Sequence, residues 1–298
     1  MNSSGQKMKA CVIGGSGFLG SHVCDHLTGA GYAVSILDRV VSPWLHSDQK
    51  MLVGDLLDEA MLDLSIADCD VVYNFAAIAD LDRALSTPID TARVNVLGNV
   101  LVLDACQRHN VRRFVYASTV YVYSREGGFY RCSKQAAEQY VEEYQRAFGL
   151  DYTILRYGSL YGPRSDNSNG LFRIVQEAVE KGVIRYEGSP EAMREYIHVD
   201  DAARASVAAL GPEFRNVSVV LTGQEAMRVS DLLQMLGEIL GVTAPVEFVE
   251  AHYEGHYVRT PYAYQPKLGR KYVPPLHVDL GQGLLQLIGE IQRTIDNS

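Results

Sequence analysis

The chain of 298 residues has few cysteines, few lysines and no long apolar run. The five cysteines are Cys11, Cys24, Cys69, Cys106 and Cys132, and no two of them are spaced as in a CxxC motif. This pattern favours free thiols in a reducing cytoplasm over disulfides or metal ligation, so we expect no metal site. No stretch approaches the roughly 20 apolar residues of a membrane span. The first nine residues are polar and unlike a signal peptide, so we expect a cytoplasmic protein with no membrane partner.

Positive charge is also scarce, because 36 acidic residues outnumber 27 Lys and Arg and give a net charge of −9. An acidic surface repels phosphate backbones, which are bound by clustered basic side chains. We therefore expect no nucleic-acid partner. With 47% hydrophobic and 21% charged residues, the composition is typical of a globular protein with a sizeable core.

In the first half of the chain, apolar runs of strand length alternate with helical patterns. The predicted strands are residues 10–13, 33–37, 50–53, 70–75, 114–117 and 152–155, and the main predicted helices are residues 18–30, 90–109 and 130–148. This alternation predicts an α/β fold with a doubly wound, mostly parallel sheet of the Rossmann type. After Gly162 the pattern becomes irregular. We therefore predict an NAD-binding domain over residues 8–162 and a smaller C-terminal substrate lobe over residues 163–298, with some segments of the lobe able to return to the sheet.

The segment CVIGGSGFLG places Gly14, Gly17 and Gly20 after the first predicted strand and at the start of the first helix. Glycine suits a phosphate-binding turn for three reasons. One position needs a backbone conformation that Cβ disfavours, a second lets the backbone approach a pyrophosphate, and the third permits close helix–strand packing. The free N–H groups of the helix start then bind the phosphates. A purely structural turn is the alternative.

The residues after the second strand favour a dinucleotide, and NAD over NADP. Asp38 stands at the distance from the glycines at which a carboxylate binds the adenosine ribose hydroxyls, and its charge repels a 2′-phosphate. Arg39 argues in the other direction, because an arginine there can accommodate that phosphate. The order of strand, glycines, helix and acid predicts an NAD site.

Tyr130 and Lys134 form a candidate catalytic pair, because their i, i+4 spacing places both on one face of a predicted helix. A phenol needs its anion favoured by about three pKa units to act as a base at neutral pH, and a nearby ammonium can supply much of this. Ser118 and Thr119 end the preceding strand, where parallel sheets place their ligand crevice. A structural tyrosine and a hydroxyl turn that ends the strand are the alternatives.

Together these segments resemble the extended short-chain dehydrogenase/reductases of the nucleotide-sugar epimerase/dehydratase family. The resemblance spans Gly14 to Ala205, about two-thirds of the chain. The matching segments, in the family's order, are GGSGFLG, VGDLLD, VVYNFAA, RVNVLGNVLVLDAC, VYASTVYVY, YRCSK, LRYGSLYGP and REYIHVDDAARA. The resemblance implies a Rossmann fold, NAD as the cofactor and a nucleoside-diphosphate sugar as the substrate.

The resemblance also implies which residues hold the cofactor. Beside the three glycines, the matching positions are Phe18, Leu19, Asp38, Arg39, Asp55, Leu56, Phe75, Ala76, Ala77, Asn95, Ala117, Ser118, Tyr130, Lys134 and Tyr157. Asp55 and Leu56 would flank the adenine. Asn95 would help to hold the cofactor region, and Tyr157 would lie near the nicotinamide.

For the reaction, the resemblance implies a catalytic group of Thr119, Tyr130 and Lys134, in which Lys134 also holds the nicotinamide ribose. Arg194 matches the arginine that binds the substrate diphosphate in the family. Arg259 is a candidate second phosphate ligand, although the pattern around it is contracted. A surface ion pair is the alternative role for either arginine.

Val120 and Tyr121 follow Thr119, where dehydratases and decarboxylases of the family usually carry an acidic residue. The missing acid argues against those reactions. It favours reversible oxidation at C4 of a nucleoside-diphosphate hexose, most simply by a 4-epimerase that works through a 4-keto intermediate. A C4 dehydrogenase or 4-ketoreductase is the enzymatic alternative, and a non-catalytic NAD-binding sensor is the alternative of another class.

The sugar end of the sequence departs from the family pattern. The segment between Tyr123 and Tyr130 is shorter than in relatives, and Ser159 replaces an asparagine that commonly contacts the substrate phosphate region. These differences predict a more open sugar pocket and an unusual substrate. Because relatives commonly dimerise through two long helices, we also expect a homodimer, with residues 90–109 and 130–148 as the candidate helices. The alternative is that the apolar faces of these helices belong to the core of one subunit.

Overall fold

The computed structural model describes residues 7–241, 246–249, 255–257 and 259–261. The strands in chain order are β1 (Lys9–Ile13), β2 (Ala33–Asp38), β3 (Lys50–Val53), β4 (Val71–Asn74), β5 (Arg113–Thr119), β6 (Tyr152–Tyr157), β7 (Ser159–Tyr161), β8 (Arg185–Glu187), β9 (Met193–His198), β10 (Val217–Leu221), β11 (Ala226–Arg228) and β12 (Glu247–Val249).

The α-helices of the described residues separate most of these strands. They are α1 (Phe18–Gly29), α2 (Glu59–Ile66), α3 (Leu81–Ser86), α4 (Pro88–Ala92), α5 (Gly98–Arg108), α6 (Gly128–Phe148), α7 (Gly170–Lys181), α8 (Val199–Ala208) and α9 (Val229–Leu240). A π-helix covers Arg93–Leu97, and short 3₁₀ helices cover Val120–Tyr123 and Pro212–Phe214. Within these ranges no helix is both long and apolar enough to cross a bilayer.

The main sheet contains seven parallel strands in the order β10–β6–β5–β4–β1–β2–β3. The chain begins in the middle at β1, winds outward through β2 and β3, and then crosses back to β4, β5 and β6. This order confirms the predicted doubly wound α/β fold. The winding reverses between β1 and β4, and ligands bind at such a reversal, beyond the carboxyl ends of the strands.

Apolar side chains cover both faces of the sheet. On one face Leu62, Val102 and Ala137 pack from α2, α5 and α6. On the other face Val23 packs from α1 and Ala202 packs from α8. The four residues VVYN of β4 are all buried, which explains why its sequence shows no alternation of apolar and polar residues. This two-sided core fixes the loops at the carboxyl edge.

Two later segments return to this core. β10 pairs in parallel with β6, with Leu221 opposite Tyr157, and α8 packs with α1. The remaining strands form a three-stranded sheet, β11–β9–β7, and a two-stranded sheet, β12–β8. The boundary at residue 162 stays a prediction, as does the role of the later segment as a substrate lobe.

The six predicted strands all occur, with ends shifted by at most two residues. In the first half of the chain, helices α2 and α3 were missed, although each begins at an aspartate that caps it. Asp58 accepts hydrogen bonds from the N–H groups of Ala60 and Met61, and Asp80 accepts one from Arg83. An aspartate before a helical stretch is a signal that the sequence does offer.

Candidate active site

The glycine turn packs tightly against the end of β4. Gly14 has φ +81°, and a Cβ on it would lie 2.6 Å from the Ala76 nitrogen. A Cβ on Gly20 would lie 2.2 Å from the Gly14 oxygen, so the start of α1 can approach the turn only without a side chain. Gly17 caps α1 and leaves the helix N–H groups available. The turn therefore has the shape that a pyrophosphate requires.

A cavity of about 380 Å³ opens beside this turn. The predicted cofactor residues that line it are Gly14, Gly17, Asp38, Arg39, Asp55, Leu56, Phe75, Ala76 and Ala77. These residues follow β1, β2, β3 and β4, so the carboxyl ends of four strands meet at one place. Phe18, Leu19 and Gly20 belong to the first turn of α1 and are not among its lining residues.

Sequence reasoning missed other residues that line the same cavity, among them Gly54, Arg83 and Arg93. Gly54 directly precedes Asp55 in a matching segment, so its position was a usable signal. Arg93 in the π-helix begins the matching segment RVNVLGNVLVLDAC, so its position was also a usable signal, whereas Arg83 in α3 lies outside every matching segment.

Asp38 lies at the end of β2 and is bonded to the glycine turn. Its carboxylate accepts hydrogen bonds from the backbone N–H groups of Ser16, at 3.0 Å, and of Val40, at 3.3 Å. Arg39 beside it is exposed and also lines the cavity. The structure thus places the predicted ribose-binding carboxylate next to the predicted pyrophosphate turn.

Asn95 is buried in the π-helix and connects two parts of the site. Its side-chain oxygen accepts from the Ile78 N–H at 2.7 Å, and its amide group donates to the Ile78 carbonyl at 3.0 Å and to the Ser133 hydroxyl at 2.9 Å. Ile78 directly follows the cavity residues Phe75 to Ala77, and Ser133 precedes Lys134 in α6. Asn95 therefore fixes the loop after β4 to the helix that carries the candidate catalytic pair.

The predicted catalytic residues come together at the carboxyl end of β5. Thr119 lies close enough to Tyr130 for its hydroxyl to lower the pKa of the phenol, and the Lys134 ammonium nitrogen lies 5.8 Å from the centre of the Tyr130 ring. Lys134 is 3% exposed and donates to the Ala117 carbonyl at 2.7 Å. Ser118 points elsewhere, because its hydroxyl donates to buried Glu138.

The electrostatics of this group differ from our expectation. Burial raises the pKa of Tyr130 to about 12, and the nearby Thr119 hydroxyl only partly offsets this. Burial also lowers the pKa of Lys134 to about 7, although Glu138 acts to raise it. Burial disfavours the charged form of each group. The protein alone therefore does not hold Tyr130 as its anion, because burial disfavours the phenolate, and the Lys134 ammonium is hydrogen-bonded to the Ala117 carbonyl.

The backbone of Tyr157 lies beside Thr119, and Ser159 follows two residues later. Tyr157 is paired with Thr119 across β5 and β6, but its side chain is buried on the other face of the sheet and hydrogen-bonds Ser206 at 2.7 Å. A contact with the nicotinamide would therefore use its backbone. Ser159 begins β7 and is partly buried, with Tyr196 of β9 opposite it.

Arg194 is a buried cation in β9, with 6% of its surface exposed. Its guanidinium lies 4.6 Å from the centre of the Tyr257 ring and donates to the Met193 carbonyl at 3.0 Å. In the described part of the chain, no carboxylate forms an ion pair with it. A buried cation without a counter-charge is costly unless an anion binds there, so Arg194 fits the predicted diphosphate ligand. Arg259 is exposed, two residues after Tyr257.

A polar and aromatic cluster around Tyr121 was missed by sequence reasoning. The Tyr121 hydroxyl hydrogen-bonds Nδ1 of His256 at 2.6 Å. Its ring centre lies 4.8 Å from that of Tyr257 and 6.4 Å from that of Tyr130, which it meets edge-on. Tyr121 therefore connects the candidate catalytic tyrosine with the segment that contacts Arg194.

The short segment before Tyr130 does not leave this part of the site uncovered. The Gly127 N–H donates to the Gly255 carbonyl at 2.9 Å, so residues 255–257 lie against it. Gly127 has φ +89°, and a Cβ there would lie 2.7 Å from the Tyr121 ring. The predicted openness of the sugar pocket is therefore not found beside Tyr121.

Comparison with known proteins points to one family. The model of the NAD dependent epimerase/dehydratase family matches residues 10–219. The chain is 26% identical over 252 residues to a putative UDP-glucose 4-epimerase of Methanocaldococcus jannaschii, covering 77% of this chain and 82% of the relative.

Two solved structures have the same fold. The UDP-glucose 4-epimerase of Thermotoga maritima with UDP-glucose has a TM-score of 0.78 and 28% identity, over 86% of this chain and 90% of that chain. A double mutant of the dTDP-glucose 4,6-dehydratase DesIV of Streptomyces venezuelae with bound NAD has a TM-score of 0.78 and 25% identity, over 93% of this chain and 94% of that chain. The similar proteins thus include both epimerases and dehydratases.

Proposed function

The chain belongs to the NAD dependent epimerase/dehydratase family, and from this premise we propose that it is a nucleotide-sugar 4-epimerase. One observation carries the proposal. The cavity beside the glycine turn and the group of Thr119, Tyr130 and Lys134 lie at the same carboxyl edge of the main sheet, with no acidic residue directly after Thr119.

The cavity fits NAD. The close approach at Gly14 and Gly20 suits a pyrophosphate, and Asp38 suits the adenosine ribose. Asp55 and Leu56 would flank the adenine, and residues 75–77 would line the rest of the cofactor. When bound, NAD supplies the acceptor and later the donor of the hydrogen at C4 of the sugar.

Tyr130 would move the proton of the reacting hydroxyl. As its phenolate, Tyr130 would take the proton from the C4 hydroxyl and later return it to the same sugar oxygen, while the Thr119 hydroxyl would hydrogen-bond that oxygen. Because burial holds the pKa of Tyr130 near 12 in the protein alone, the transfer needs added positive charge nearby. The Lys134 ammonium and an oxidised nicotinamide would both supply it.

The surroundings of Tyr130 favour epimerisation over dehydration. Tyr121 occupies the region beside Tyr130 and is bonded to His256. Elimination of water from a sugar needs a further acid or base near the ring, and the chain offers no acidic side chain for this directly after Thr119.

Incubation of the purified protein with UDP- and dTDP-hexoses, followed by NMR, tests this proposal. We expect at least one hexose to be converted to its C4 epimer with no net consumption of cofactor. Stoichiometric formation of NADH would instead indicate a C4 dehydrogenase. Tight NAD binding with no turnover on the whole panel would indicate the non-catalytic sensor.

Arg194 would bind the substrate diphosphate, with Arg259 as a second candidate and Ser159 nearby. We expect Arg194→Met to raise KM for the nucleotide sugar by about 10- to 100-fold, because a charge-assisted hydrogen bond contributes about 1.5–3 kcal/mol. NAD binding should not change. Steady-state kinetics and NAD titration measure the two effects.

Arg228→Met is the matched control, because Arg228 is exposed on the neighbouring strand β11 and forms only a distant ion pair of 3.7 Å with Glu191. Its KM should equal that of the wild type. A wild-type KM in Arg194→Met would show that Arg194 does not bind the substrate diphosphate.

The protein would form a homodimer through α6 and the neighbouring helices. Large apolar side chains stay exposed there, namely Ile89 at 80%, Leu97 at 50%, Tyr140 at 47% and Phe148 at 59%.

Leu97→Glu combined with Tyr140→Glu should convert the dimer to a monomer, because charges are costly in a buried interface. Light scattering after gel filtration measures this. Leu64→Glu, equally exposed on α2 at 60%, should stay dimeric, and a monomeric wild type would contradict the proposal.

A further inference from the structure

Behind Lys134 lies a buried polar network that the proposed proton transfer does not use. Glu138 is 4% exposed and follows Lys134 by one helical turn in α6. Arg156 of β6 donates its Nε to one Glu138 carboxylate oxygen at 3.0 Å and its Nη2 to the other at 2.6 Å. The Ser118 hydroxyl donates to the same carboxylate at 2.5 Å. Three elements, α6, β5 and β6, thus converge on one carboxylate.

Lys134 needs a counter-charge, because it is almost fully buried. The Lys134 ammonium donates a hydrogen bond to the Ala117 carbonyl, and its nitrogen lies 4.7 Å from the centre of the Tyr116 ring. Both are dipolar partners, and neither carries a full negative charge. Burial lowers the pKa of Lys134 to about 7, and of the described residues Glu138 is the one whose charge opposes this.

The other titratable and charged groups around this pocket do not replace Glu138. They are Tyr116 on β5, Tyr121 on the 3₁₀ helix, Tyr130 on α6 and Arg156 on β6. The tyrosines are neutral phenols below their raised pKa values, and Arg156 is itself a cation. Arg156 is also held from its far side, by the Tyr123 hydroxyl at 2.5 Å, which fixes the carboxylate that it binds.

We propose that Glu138, fixed in place by Arg156 and Ser118, is the counter-charge that holds Lys134 as an ammonium beside Tyr130. Glu138 is then a positioning residue that acts through Lys134 and does not touch substrate or cofactor. The inference rests on the proposed function only for the role of Lys134. The competing explanation is an ion pair that merely joins α6 to β6.

Glu138→Gln tests the inference through a direct titration of the lysine. The chain has seven lysines, so protein labelled with ¹³C at the lysine ε-carbon gives few signals. The signal that disappears in Lys134→Arg is that of Lys134. Loss of the carboxylate removes the charge that favours the ammonium, so the midpoint of Lys134 should move to lower pH by about one unit or more. An unchanged midpoint would overturn the inference.

Glu143→Gln is the matched control on the same helix. Glu143 is 62% exposed and pairs with the equally exposed Arg146 at 3.0 Å. The substitution removes the same charge and the same kind of partner, but at the surface. The midpoint of Lys134 should therefore stay at its wild-type value in this variant.

A second variant separates the positioning role from a purely structural one. Glu138→Gln leaves Arg156 without its carboxylate, and an unpaired buried charge can unfold a protein. Glu138→Gln/Arg156→Met removes both charges and restores the balance. If the pair is merely structural, the midpoint of Lys134 in the double variant should return to the wild-type value. The inference predicts that it stays low while thermal stability recovers.

The pH dependence of turnover gives an independent readout. If activity needs the Lys134 ammonium, a lower pKa moves the alkaline limb of the kcat profile to lower pH, while KM for the nucleotide sugar changes little. A shifted titration in a protein that converts no hexose would leave this inference standing and reject the proposed function. An unshifted titration with normal turnover would reject this inference alone.

Discussion

We expect Tyr130→Phe to lower turnover by about 10²- to 10⁴-fold, the usual contribution of a positioned acid or base. The substitution removes only the phenol oxygen that would carry the proton. The phenyl ring can keep its edge-on contact with Tyr121 and its place near Lys134. Folding and NAD binding should therefore stay close to those of the wild type.

Initial rates on the accepted nucleotide sugar measure this effect, and the NAD content of the denatured protein measures cofactor binding. Tyr144→Phe is the matched control on the same helix, since Tyr144 packs against Phe148 away from the site. It should keep wild-type turnover. If the turnover of Tyr130→Phe lies within tenfold of the wild-type value, Tyr130 does not carry the proton.

The second large effect concerns the glycine turn. Gly20→Ala should abolish NAD binding and destabilise the protein by about 1–3 kcal/mol, the usual cost of overpacking. The added methyl group would lie 2.2 Å from the Gly14 oxygen, which is backbone and cannot rotate away. The turn must therefore open, and the phosphate-binding geometry is lost with it.

Gly29→Ala provides a matched control in the same helix. Nothing lies within 4 Å of a Cβ on Gly29, so the change should be neutral or stabilise by up to about 1 kcal/mol through helix propensity. Calorimetric NAD titration and thermal unfolding compare the two variants. Normal NAD affinity in Gly20→Ala would contradict the assignment of the turn to the pyrophosphate.

The fold could be predicted because its signals are local. A strand such as β1, whose residues 10–13 are buried on both faces of the sheet, is a continuous apolar run between a lysine and two glycines, and the alternation of such runs with helices predicts a parallel sheet. The π-helix around Asn95 could not be predicted. It depends on bonds from Asn95 to Ile78, 17 residues earlier, and to Ser133, 38 residues later.

The same distinction separates the parts of the candidate site. Thr119 could be placed with Tyr130 and Lys134 because the end of a strand and one face of the next helix follow from local spacing. The bond between Tyr121 and His256 spans 135 residues, and the contacts that form it arise only in the folded chain. The electrostatics were missed for a related reason, since burial decides the pKa values of Tyr130 and Lys134.

Following a deuterium label at C4 of the accepted nucleoside-diphosphate hexose tests 4-epimerisation most directly. A 4-epimerase takes the hydrogen from C4 and returns it to the other face of the same carbon. We therefore expect mass spectrometry and NMR to find the C4 epimer with its deuterium still at C4 and with none in free cofactor. A product that has lost the label from C4, to another carbon, to solvent or to released NADH, would contradict the proposed function.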